Sequence, residues 1–164
     1  MIAVVETHPV QYHAPVYRHA VQKMALPMHV VYGGDFSVAG YKDKEFGASF
    51  AWDTDLLGGV SHEFLSRMSK GGAGNYDEVR PDGLDAALDA LAPQALLSLG
   101  YTHPLDRAGL RWASKRRVPL LFRGETSDVA RRRHWAKRLL RDTSLRLLYR
   151  RCAALLYLGH HSRE

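Results

Sequence analysis

Short apolar runs alternate along the chain with longer segments whose apolar residues recur every three to four positions. That rhythm predicts strands joined by crossover helices. Residues 2–6 (IAVVE) read as a first strand, 29–32 as a second closed by Gly33 and Gly34, and 62–65 as a third. Strands four, five and six fall at 95–99, 118–122 and 153–158. Helical spacing covers 12–24, where Pro15 sits early enough to be tolerated, then 82–91, 105–115 and 131–151. Such alternation predicts an α/β fold: a Rossmann-like, doubly wound, mostly parallel sheet flanked by helices. No internal repeat interrupts it.

Two stretches break the rhythm. Residues 35–60 are too long for a simple connector and too aromatic for a linker, with Phe36, Tyr41, Phe46, Phe50 and Trp52, so a folded functional loop is expected there. The Gly71, Gly72, Gly74 segment is expected to be flexible.

At 164 residues, 46% hydrophobic and 24% charged, the chain has the material for one domain with a real core. Its single cysteine, Cys152, supports neither a disulfide framework nor a cysteine-rich zinc site. Together with a start unlike a signal peptide, this points to a cytoplasmic setting. No apolar run approaches the roughly 18 residues that span a bilayer. The nine histidines include no pair at metalloprotease spacing beside an acid, so no metal is expected. The net charge of +6 hides a division: residues 1–110 carry 8 Lys/Arg against 13 Asp/Glu, whereas 111–151 carry 14 against 3. The basicity is local to residues 111–151, and most of it lies in the last helix.

In doubly wound sheets ligands bind beyond the carboxyl ends of the strands, so the chemistry belongs just after each strand. The first strand leads to Thr7-His8-Pro9-Val10-Gln11-Tyr12, not to the Gly-x-Gly-x-x-Gly turn of a dinucleotide site. Ser69-Lys70-Gly71-Gly72 has the wrong order for a phosphate loop, and Leu97-Ser98-Leu99 lies within a strand rather than at a nucleophile elbow. Gly100-Tyr101-Thr102-His103 follows the fourth strand, and Arg123-Gly124-Glu125-Thr126-Ser127-Asp128 follows the fifth. With His8 and Gln11 these would converge on one rim, a set suited to a polyhydroxy or anionic ligand. The competing role for His8 and His103 is structural: capping a helix or bonding to backbone.

Five ordered motifs bear on the family. They are Thr7-His8-Pro9-Val10-Gln11-Tyr12, Tyr32-Gly33-Gly34-Asp35-Phe36, Gly40-Tyr41-Lys42-Asp43 with Phe46-Gly47, Trp52-Asp53 with Leu56-Leu57, and Leu121-Phe122-Arg123-Gly124-Glu125. In this order the chain resembles the bacterial glycosyltransferases of the two-Rossmann (GT-B) type, in the retaining family 4 group. The resemblance implies that residues 1–164 are the N-terminal, acceptor-side domain, with a C-terminal donor-binding domain elsewhere and a nucleotide-sugar donor as cosubstrate. It implies metal-free transfer to a sugar or lipid-linked acceptor, in glycan, glycolipid or envelope polysaccharide synthesis. Carried over by position, His8, Gln11, Tyr12, Tyr101, Arg123 and Asp128 would form the acceptor wall, and His103 and Glu125 would touch an acceptor hydroxyl as catalytic groups. The His8-Pro9 pair departs from the glycine pair that many members carry there. The isolated domain is then expected to be inactive. The alternatives are a non-catalytic Rossmann-like binding or scaffold module, or one half of a split enzyme.

The last helix presents Arg131, Arg132, Arg133, Lys137, Arg138 and Arg141. Ala136, Leu139, Leu140, Thr143 and Leu147 share one arc and are expected to pack on the sheet, leaving Leu145, Leu148 and Tyr149 outside with the basic groups. A basic and apolar outer face suits an anionic membrane surface, while a solvated helix or one docked on a partner domain fits equally. Nucleic acid is not expected as a partner, for no base-reading motif accompanies the charge.

Overall fold

The computed structural model describes residues 1–39, 41, 42, 49, 50, 55–124 and 135–157. Six parallel strands form the sheet: β1 (Ile2–Glu6), β2 (Met28–Tyr32), β5 (Ser61–Phe64), β6 (Ala95–Ser98), β7 (Leu120–Arg123) and β8 (Ala154–Leu156). Their order is β5-β2-β1-β6-β7-β8. The chain therefore winds outward from β1 in one direction, returns, and winds outward in the other. The reversal falls between β1 and β6, and the crevice expected of a doubly wound sheet lies beyond Glu6 and Ser98. A separate antiparallel pair, β3 (Tyr41–Lys42) and β4 (Ser49–Phe50), stands in the aromatic loop. Residues 40, 43–48 and 51–54 of that loop lie outside the described residues.

Strand alternation divides the core in two. Ala3 and Val5 of β1, Val31 of β2 and Leu96 of β6 face α2 (Leu84–Leu91), α3 (Pro104–Arg116) and Leu148 of α4 (Trp135–Tyr149). Val4, Val30 and Leu97 face Tyr17, Ala20 and Val21 of α1 (Ala14–Lys23). Strands buried on both faces read as continuous apolar runs, as IAVV does. Glu6 keeps the parity of Val4 and so enters the α1 side as a carboxylate among apolar neighbours.

Several sequence expectations shift. The helix expected over 12–24 begins at Ala14, because His13 and Ala14 both donate their N–H to the Val10 carbonyl and hold 11–13 as a turn. The segment at Gly71 is a defined turn: the helical turn Met68–Lys70 ends at Gly71 in the left-handed region, and Gly72 packs directly on the Arg67 backbone. The phase expected of the basic helix fails at Thr143, Leu147 and Leu148, while Tyr149 is exposed as expected. Leu148 packs on the core, whereas Leu147 is 55% exposed and Thr143 is also outside. With leucines at 139, 140, 145, 147 and 148, the helix is apolar around much of its circumference, and the pattern alone does not choose a face. β8 is shorter than 153–158, and Ala154, Leu155 and Leu156 are all exposed at the sheet edge. No described helix is long and apolar enough to cross a membrane.

Candidate functional site

The end of β1 builds the buried half of the site. Glu6 is 5% exposed, and its Oε1 pairs with Nδ1 of His13, itself 3% exposed at the start of α1. One helical turn further on, the Tyr17 hydroxyl lies 3.4 Å from the other carboxylate oxygen. A spacing of four residues places His13 and Tyr17 on the same face of α1, both over Glu6. Burial, then the Glu6 charge, pushes the Tyr17 hydroxyl well above its ordinary range, and the Arg123 charge opposes that rise. Tyr32, opposite Glu6 in the β1–β2 register, is raised by burial and by the same carboxylate. Arg123 ends β7 on the Leu121 side of the sheet, the side of α1, and is 9% exposed. A carboxylate, an imidazole, a guanidinium and two phenols thus share the apolar space beneath the Thr7–Tyr12 loop.

That loop carries the exposed half. The Tyr12 ring, 58% exposed, meets the His13 ring edge-on with centroids 4.5 Å apart, so a solvent-facing aromatic rests on a buried histidine that Glu6 fixes. Gln11 is exposed beside it. His8 turns the other way: Nδ1 lies 2.9 Å from the Thr7 hydroxyl, and the ring lies against Phe36 at 4.6 Å. Burial, then the neighbouring His13 and His103 rings, lowers its pKa from 6.5 to about 4. His8 is therefore an uncharged ring near neutral pH.

On the β6 side, His103 caps α3. Its Nδ1 accepts from the Leu105 N–H at 3.2 Å, its Nε2 lies 3.2 Å from the Tyr76 carbonyl, and the Asp106 carboxylate accepts from the His103 N–H at 3.3 Å. Pro104 at the first helical position completes a strong start signal. Both ring nitrogens are engaged by backbone groups, which is the capping role weighed against catalysis. Tyr101 is part-exposed, with its ring 6.3 Å from that of Phe122.

The structure thus brings His8, Gln11, Tyr12, Tyr101 and His103 to the rim around the strand-order reversal and sets Arg123 beneath it. Glu125, Asp128, Arg131, Arg132 and Arg133 lie outside the described residues, and Lys137, Arg138 and Arg141 are placed only as positions on α4. Sequence reasoning missed Glu6, His13, Tyr17 and Tyr76. For the first three a signal existed: an acid closing an otherwise apolar strand, followed by His and Tyr four apart at a helix start.

No family model and no curated protein matches the chain. Among solved structures it is similar to MurG of Acinetobacter baumannii, with a TM-score of 0.47 and 8% identity over 98% of this chain and 42% of that one. The chain thus spans less than half the length of that protein.

Proposed function

We propose that the chain is the acceptor-binding half of a nucleotide-sugar-dependent glycosyltransferase. The observation that carries this reading is the strand-order reversal between β1 and β6, beyond which exposed Tyr12 and Gln11 stand on a loop fixed from below by Glu6 and His13. The ordered motifs support it as well, since Thr7–Tyr12, Gly33–Phe36 and Leu121–Arg123 all end at this rim. Its chemistry is positioning: rigid side chains hold an acceptor hydroxyl at the mouth, where a second domain would deliver the activated sugar. In the complete gene product, turnover of a nucleotide-sugar with release of the nucleoside diphosphate is expected, and the 164-residue chain alone should show none. Tyr12→Ala should raise the acceptor KM about tenfold and leave the donor KM unchanged. A gene product without a donor-binding domain, or without turnover over a nucleotide-sugar panel, would sink the reading in favour of a binding or scaffold module.

We further propose that the α4–β8 corner rests on an anionic membrane surface. Exposed Leu147, Leu155 and Leu156 lie close in the chain to exposed Arg146, Arg150 and Arg151, pairing apolar with basic groups. The chain should co-sediment with vesicles containing anionic phospholipid and not with neutral ones. Reversing two charges (Arg150→Glu with Arg151→Glu) should weaken binding roughly tenfold or more. Equal pelleting with both lipids, or none with either, would remove the proposal.

A further inference from the structure

Tyr76 is pinned by its backbone and left open by its ring. It begins the helical turn Tyr76–Glu78, which Asn75 caps by accepting from the Asp77 and Glu78 N–H groups at 3.1 and 3.2 Å. The Glu78 carboxylate closes the turn by accepting from the Asn75 amide at 2.6 Å and the Gly74 N–H at 2.8 Å. The Tyr76 carbonyl meets the His103 ring, as described above. The phenol ring packs one side against His103 at 4.6 Å and stands 6.4 Å from His8, edge to face, yet the residue remains 45% exposed. A tyrosine whose backbone is fixed and whose ring is packed on one side has less conformational entropy to lose on binding, which favours stacking.

We propose that Tyr76 and His8 form an aromatic wall at the β1–β6 rim that takes the apolar face of an uncharged pyranose ring, making Tyr76 a specificity-determining residue. The inference rests on the acceptor-domain reading and names the class of acceptor. A pyranose offers C–H groups on its faces and hydroxyls around its edge, which suits an aromatic platform with a polar tip. The polar groups around this wall favour a neutral ring. His8 carries no charge near neutral pH. Asp106 is committed to the α3 cap, and Arg80 donates to the carbonyls of Asp77 and Val79 at 2.7 and 3.1 Å. An acidic sugar would meet the charges of Asp106 and Asp77, which both act on the Tyr76 hydroxyl.

The test is binding of methyl hexopyranosides (gluco, galacto, manno and their N-acetylamino forms) to the 164-residue chain, read by saturation-transfer NMR and by shifts of labelled tyrosine rings. At least one neutral glycoside should bind and shift Tyr76. Tyr76→Ala should weaken that glycoside about tenfold, Tyr76→Phe should keep it within about threefold, and the matching methyl hexuronide should bind about tenfold more weakly. Tyr76 is half-exposed, so Tyr76→Ala should lose some packing but still unfold in one cooperative transition, which separates lost stacking from lost folding. His8→Gln is the second variant and should also weaken the neutral ring. No binding by any glycoside, full affinity in Tyr76→Ala, or equal affinity for the hexuronide would overturn the proposal. If Tyr76-dependent binding persists but the complete gene product turns over no nucleotide-sugar, the transferase reading falls and this slot stands. If turnover depends on Tyr12 and not on Tyr76, the reverse holds.

Discussion

Glu6→Ala is expected to cost about 1–3 kcal/mol, the range for leaving a buried hydrogen-bonding group without its partner. Glu6 and His13 are both nearly inaccessible, and the Tyr17 hydroxyl has the same carboxylate within reach. Without the carboxylate, His13 keeps its burial and loses its acceptor, and Tyr17 loses its hydroxyl contact. With urea m-values of about 1–3 kcal/mol/M, the unfolding midpoint should fall by roughly 1 M, measured by circular dichroism. A double-mutant cycle with His13→Ala separates pairing from packing. If the pair is the source, the two substitutions together cost less than their sum by about 1–3 kcal/mol. Simple additivity would show that Glu6 acts through packing alone and that the Thr7–Tyr12 loop is held in some other way.

This cluster also shows where the sequence was legible. β1 fell where its apolar run placed it, because a central strand covered on both faces leaves a continuous hydrophobic signature. The start of α3 was readable within one residue through Pro104. α4 was readable as a helix but not in its facing, since leucines surround it and only the sheet decides which of them are buried. At the site, the loop after β1 was found by position. The reason it holds its shape lies in a contact between Glu6 and His13 that the chain makes only when α1 folds back over the sheet. Tyr76 left no trace at all: it lies 27 positions from His103, and nothing local links them.

The rim consequently reads as two layers with different duties. Tyr12, Gln11 and Tyr76 are exposed, while buried Glu6, His13 and capped His103 fix the backbone that carries them. His8 and His103, grouped together by sequence position, separate once burial is known. His103 has both nitrogens on backbone groups, and His8 is a part-exposed aromatic wall. Under the proposed acceptor-domain reading, a rim arranged in this way would act by holding an acceptor, with proton movement secondary.

Gly33→Ala is expected to disturb both layers from a single carbon. A Cβ there would stand 2.4 Å from the Val79 Cγ1, 3.0 Å from the Leu105 Cδ2 and 3.1 Å from the Thr7 carbonyl oxygen. Val79 and Leu105 are fully buried, so neither side chain can swing out of the way. The backbone is no freer: the Gly33 N–H donates to the Glu6 carbonyl at 2.9 Å, and its own carbonyl accepts from Ser66 at 2.8 Å. Overpacking of this kind costs about 1–3 kcal/mol. Val79 directly follows the Tyr76–Glu78 turn and Leu105 lies in the first turn of α3, so the displacement should also reach the Tyr76 wall and the His103 cap. Gly34→Ala is the control, because its Cβ would meet nothing nearer than 3.4 Å and should cost under about 0.5 kcal/mol. Trimming the obstacle should rescue the first variant: Gly33→Ala with Val79→Ala should be more stable than the sum of the single changes by about 1 kcal/mol. Equal midpoints for Gly33→Ala and Gly34→Ala would mean that the Val79 contact does not require glycine, and that β2 ends in a glycine pair for another reason.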